Sequence, residues 1–65
     1  MTQFNVPDMT CGHCAGTITR ALKDLDGEAR IEISLREHLV KVDSRLAPEA
    51  LAGAIREAGY TPRAA

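Results

Sequence analysis

The chain has 65 residues, with eight basic and nine acidic side chains and a formal charge of −1; at this length a single apolar core is near the smallest that holds a chain together, and a second domain has no room. The near balance of charge argues against a nucleic-acid binder, which usually carries a basic excess, and against a membrane-surface role, while no apolar run reaches the length of a spanning helix, so no direct membrane insertion is expected. A hydrophobic fraction of 45% with 26% charged residues excludes a disordered tail, and because Phe4 and Tyr60 are the only aromatics the core has to come from Leu, Ile, Val and Ala.

Phe4 and Val6 alternate with Gln3 and Asn5, which predicts a short half-buried strand ended by Pro7 and Asp8. From about Cys14 the residues Ile18, Leu22 and Leu25 recur with Ala21 at helical spacing, and Gly27 is placed to stop that helix. Ala29, Ile31, Ile33 and Leu35 then alternate with Arg30, Glu32 and Ser34, a strand with one wet side. Arg36, Glu37 and His38 make a polar connection into Leu39–Asp43, where Val40 and Val42 flank Lys41 as the second strand of a hairpin; the face of Leu39 is left open. Pro48 and Glu49 suit the first turn of a second helix with Leu51, Ala54, Ile55 and Ala58 as its inner stripe and Gly59 as its stop. Tyr60 to Arg63 is expected to add a last strand at a sheet edge, since Pro62 donates no ladder hydrogen bond. The order βαββαβ predicts an α+β fold, a four-stranded antiparallel sheet with two helices on one face, as a single domain over residues 1–65.

Between the first strand and the first helix stand Met9-Thr10-Cys11-Gly12-His13-Cys14, which hold both cysteines of the chain. Two thiols three positions apart can turn onto one small ion, and Gly12 removes the steric objection to the turn. Cys14, at or near a helix start, lies where unpaired amides and the positive end of the helix dipole favour a thiolate, the metal-binding form. Two soft sulfurs are a poor match for Ca²⁺ or Mg²⁺. They are half of a structural zinc site, for which only His13 and the distant His38 are further candidates. Cu(I) held between the Cys11 and Cys14 thiolates fits this donor set better. An ion with two protein ligands can accept a third sulfur before releasing one, so it can be handed over.

The loop Met9-Thr10-Cys11-Gly12-His13-Cys14, the Ile18/Leu22/Leu25 helix and Gly59-Tyr60 together make the chain resemble the heavy-metal-associated domain family over essentially its whole length, and within it the bacterial copper chaperones. The resemblance implies a ferredoxin-like fold, with Cu(I) bound by Cys11 and Cys14. It also implies delivery to the metal-binding domains of a copper-transporting P-type ATPase or to a copper-sensing repressor. Zinc and cadmium transporters of the group often carry aspartate directly before the first cysteine, where this chain has Thr10. Tyr60 falls where bacterial copper chaperones resemble one another, near the metal loop.

The rival from another class is a thiol-disulfide oxidoreductase, because Cys11-Gly12-His13-Cys14 is also the tetrad of disulfide-isomerase-like sites. Such domains need about 100 residues and usually an aromatic residue where Thr10 stands. No catalytic residue is therefore expected. Met9 is expected to pack beneath the loop rather than ligate through sulfur; His13 is expected to be exposed and to tune the site, with direct ligation as the alternative; and His38 is expected to be a hairpin surface residue without a role. Tyr60 has two readings, a core aromatic or a neighbour that limits solvent access to the thiolates. Arg20 and Lys23 read as a solvated helix face. The first residues lack a secretory pattern, so the expected compartment is the cytosol, where thiols stay reduced. Met1 at the start and an end soon after the last strand are expected of a free-standing protein rather than an excised ATPase domain, and copper is expected to be able to bridge two copies into a dimer.

Overall fold

The computed structural model describes residues 2–64, which run β1 (Thr2–Asn5), α1 (Gly12–Leu25), β2 (Arg30–Ser34), β3 (Leu39–Asp43), α2 (Pro48–Glu57) and β4 (Arg63–Ala64). The strands lie in the order β2-β3-β1-β4 with every neighbouring pair antiparallel. It follows that β1 and β2 run parallel with β3 between them, and β3 and β4 run parallel with β1 between them. Each helix therefore crosses over one intervening strand, the split βαβ arrangement, and the fold is α+β with two helices on an antiparallel sheet.

Register explains which side chains the helices cover. Phe4 sits opposite Val40, and Ile31 and Ile33 sit opposite Val42 and Val40; these join Ile18 and Leu22 of α1 and Leu51, Ala52 and Ile55 of α2 in one core. On the other face Gln3 meets Lys41, which meets Glu32, and Asn5 meets Leu39, which meets Ser34. Leu39 thus points to the polar side, where it stays only half-buried. Ile31 and Ile33 are also half-buried, because β2 is an edge strand with no neighbour beyond it. Burying a Leu or Ile side chain is worth about 1.5–3 kcal/mol, so the fully enclosed Ile18, Leu22, Leu51 and Ile55 carry most of the helix-to-sheet attachment.

Several expectations are corrected at the element ends. Helix α1 begins at Gly12, two residues before Cys14, because Cys11 is its extended N-cap. Gly27 does not stop it: Asp26 is the C-cap, its amide donating to the Leu22 carbonyl at 2.9 Å. The Asp26 carboxylate accepts from the Glu28 amide at 3.1 Å and the Ser44 hydroxyl at 2.7 Å, and these bonds hold that carboxyl below its ordinary range. Leu25 and Leu35, expected inside, are 45% and 38% exposed, since one is the last residue of α1 and the other the first of the hairpin turn. In α2 it is Ala52 that is buried, while Ala54 and Ala58 are half-buried. The last strand lies after Pro62 rather than over Tyr60 to Arg63, as a two-residue edge pairing of Arg63 with Asn5 and Ala64 with Phe4.

Candidate metal centre

Val6-Pro7-Asp8-Met9 closes a β-turn, the Met9 amide donating to the Val6 carbonyl at 3.0 Å, with proline at the position that favours its fixed φ. The turn drives the Met9 side chain into the core, where it is fully enclosed. Thr10 and Cys11 then emerge to solvent. Cys11 caps α1 with its backbone alone (φ −148, ψ 169), and its thiol makes no capping bond. A residue favoured at this position would bend its side chain back onto the free amides, whereas the Cys11 sulfur is left available.

Gly12 and Cys14 follow in the first helical turn, and the Ala15 amide donates to the Cys11 carbonyl at 3.1 Å. That turn contains no acidic residue, so the positive end of the helix is not compensated by a carboxylate. The two sulfurs lie 3.3 Å apart, unbonded, Cys11 exposed and Cys14 half-buried. The Cys14 thiol is brought down to about 7, first by the Tyr60 hydroxyl, then by the Thr10 backbone amide and the Cys11 thiol, against a smaller upward push from burial. Tyr60 is pushed up to about 12 by the same Cys14 contact, by burial and by the nearby negative charges, so it remains a donor to the thiolate.

Tyr60 reaches this place through the end of α2. The Tyr60 amide donates to the Ile55 carbonyl at 3.2 Å and the Gly59 amide to the Arg56 carbonyl at 2.9 Å, the Schellman pair, with Gly59 at φ +96 supplying the left-handed residue. Tyr60 is half-buried against the core alongside Cys14. The Thr61 amide donates to the Asp8 carboxylate at 3.2 Å, tying the segment after Tyr60 to the turn before Cys11.

His13 is exposed on α1, and its carbonyl accepts from the Thr17 hydroxyl at 3.0 Å. His38 is not the idle surface residue expected: it is half-buried, and its Nδ1 lies 2.9 Å from the Met9 carbonyl oxygen. Asp8 and His38 are the two loop anchors that sequence reasoning missed. The only sequence signal for His38 is a histidine in a tight hairpin turn where glycine or asparagine is usual. Among the described residues no three His, Cys, Asp or Glu side chains gather into a metal-holding group, so neither histidine completes a zinc-type set with the sulfurs. No helix among the described residues is long and apolar enough to cross a membrane.

The heavy-metal-associated domain family matches residues 3–61. The chain belongs to the heavy-metal-associated domain family. Among curated relatives, the copper chaperone CopZ of Staphylococcus aureus (strain bovine RF122 / ET3-1) is 37% identical over 60 residues, covering 88% of each chain. Among solved structures, a gold binding protein superposes with a TM-score of 0.96 at 37% identity over the full length of both chains. The copper chaperone Atx1 from Synechocystis PCC6803 superposes with a TM-score of 0.95 at 33% identity, covering 97% of this chain and all of that one. These relatives are named copper chaperones, which are not enzymes, in keeping with the expectation of a non-enzymatic chain.

Proposed function

We propose that residues 1–65 act as one heavy-metal-associated domain, a cytoplasmic copper chaperone that binds a single Cu(I) between the Cys11 and Cys14 thiolates. It passes the ion by ligand exchange to a metal-binding domain of a copper-transporting P-type ATPase or to a copper-sensing repressor. The observation that carries this reading is a pair of soft sulfurs 3.3 Å apart, Cys11 exposed and Cys14 half-buried, with no third His, Cys, Asp or Glu side chain gathered beside them among the described residues. Met9 and Tyr60 support the loop from beneath and beside, Gly12 gives the turn between the sulfurs, and Thr10 and His13 line its exposed rim.

Loading of an ion on this reading requires the two sulfurs to move apart. With sulfur–metal distances of about 2.3 Å, as for zinc thiolates, the present 3.3 Å separation would subtend only about 90° at the ion. A two-donor linear site needs roughly 4.6 Å and a three-donor trigonal one roughly 4.0 Å on the same bond length. Cys11, exposed and free of capping bonds, is the sulfur that can move outward. In transfer, an acceptor thiolate adds its electron pair to the ion to give a three-sulfur species. One chain thiolate then departs with its own pair, and repetition moves the ion without change of oxidation state.

Anaerobic titration of the reduced protein with Cu(I) against a competing chelator tests the reading, with Zn²⁺ and Au(I) as parallel arms. The Au(I) arm follows from the similarity to a gold binding protein. Tight Cu(I) binding lost in both Cys11→Ser and Cys14→Ser supports it. Binding preserved in either variant refutes it, as does vigorous insulin reduction, which would mark a thiol-disulfide oxidoreductase instead. Sedimentation with and without copper decides whether the ion bridges two copies.

A further inference from the structure

His38 closes the turn between β2 and β3 at φ +56, the one non-glycine residue with positive φ among the described residues. Glycine would occupy that conformation without strain, whereas few side chains do, histidine and asparagine being among the tolerated ones. The side chain present makes a bond that glycine lacks. Its Nδ1 approaches the Met9 carbonyl oxygen at 2.9 Å, and because a carbonyl only accepts, Nδ1 carries the hydrogen. The backbone carbonyl of the same residue accepts from the Val6 amide at 2.7 Å. Both ends of the Val6–Met9 turn are therefore fastened to the hairpin, and the Met9 side chain is fully enclosed as well.

The Met9 carbonyl and the Thr10 amide belong to one rigid peptide plane, and Thr10 leads directly into Cys11. We propose that His38 is a positioning residue of the dithiol loop: by holding the Met9 carbonyl it fixes the Met9–Thr10 peptide plane at the foot of the loop and confines loop opening to Thr10 and Cys11. The metal consequence rests on the Cu(I) reading above, but the placement of the peptide plane does not.

Three chains separate the side chain's bond from the backbone conformation. His38→Asn keeps a left-handed residue and places an amide donor at the same distance along the side chain as Nδ1. His38→Gly keeps the backbone and removes the donor. Relative to the unaltered protein, His38→Gly should weaken chelator-competed Cu(I) binding about 3- to 10-fold and speed hydrogen exchange of the Thr10 amide by a similar factor, as expected for loss of one hydrogen bond. His38→Asn should stay within about 2-fold in both. Equal behaviour of the glycine variant and the unaltered protein would overturn the proposal, as would an asparagine variant no better than glycine. Nitrogen-15 spectra of the unaltered, metal-free protein should show hydrogen on Nδ1 of the neutral ring, and hydrogen on Nε2 alone would overturn it even if a variant failed to fold. Failure of the unaltered protein to bind Cu(I) would sink the chaperone reading and leave the exchange and tautomer results to decide the role of His38.

Discussion

Tyr60→Phe removes one oxygen and leaves the ring that packs beside Cys14, so its effect on the thiol isolates the hydroxyl contact. That contact is the largest of four influences lowering Cys14 to about 7 from 9.0. Losing one of the four should return the thiol roughly halfway, to about 8, and the fraction ionised at neutral pH then falls from about one half to about one tenth. The sign runs one way: a group whose value is depressed is reactive above it and protonated below it, so the pH–rate curve for alkylation of Cys14 shifts to higher pH. The more basic thiolate is also intrinsically more nucleophilic, by roughly 3-fold for such a change. At pH 7 the two effects nearly offset, leaving about a 2-fold fall, while the plateau above pH 9 rises about 3-fold. The assay is stopped-time alkylation of metal-free Cys11→Ser protein, with and without Tyr60→Phe, from pH 5 to 10, read by mass spectrometry. Cys11→Ser retains a donor beside Cys14, so the comparison keeps that contact in place. A midpoint unmoved by Tyr60→Phe, or moved downward, would refute the assignment of Tyr60 as the main support of the thiolate.

Two further outcomes follow from packing and backbone geometry. Leu22 is fully enclosed and Leu25 on the same helix is 45% exposed. Leu22→Ala should cost about 2–5 kcal/mol, a large part of what a domain this small possesses, whereas Leu25→Ala should change stability by less than about 0.5 kcal/mol; urea unfolding with equal costs would contradict the observed burial. At Gly59 an added Cβ meets nothing within 4 Å, so Gly59→Ala tests φ +96 alone. The expected loss is about 1 kcal/mol, a fall in Tm of roughly 4–8 °C, accompanied by an upward move of the Cys14 alkylation midpoint because Tyr60 is the next residue.

What the sequence disclosed were features written in neighbouring residues. The 3.6-residue spacing of Ile18 and Leu22, the alternation through Ile31 and Ile33, and the Gly59 stop each depend on local pattern, and each corresponds to an observed element. The cysteine pair was legible for the same reason. Leu25 and Leu35 fit their patterns equally well but fall at element ends, where a large part of each side chain stays open to solvent. Gly27 resembled a helix stop, yet Asp26, with carboxylate bonds to Glu28 and to Ser44 eighteen residues away, had already ended the helix. The His38 bond to Met9 spans 29 residues and the Asp8 bond to Thr61 spans 53; no periodicity encodes a single long-range contact to a backbone atom.

These long-range contacts explain why six residues do not by themselves specify a carrier. The tetrad Cys11-Gly12-His13-Cys14 occurs equally in a redox setting, and what differs here is the distribution of restraint around it. Cys14 is half-buried, on a helix that is anchored in the core through Ile18 and Leu22, with Tyr60 packed against the same core and its thiol held below the ordinary range. Cys11 is exposed and has no capping bond, and its side chain hydrogen-bonds only with the opposing thiol among the described residues. On the proposed Cu(I) reading, an ion shared by one anchored and one exposed sulfur would be retained by the first while the second yields to an incoming ligand, and a loop fastened at Met9 with Cys11 left uncapped would provide that asymmetry. Two equally rigid sulfurs would resist the widening that a third donor requires, and two equally loose ones would have to be ordered anew each time an ion arrived.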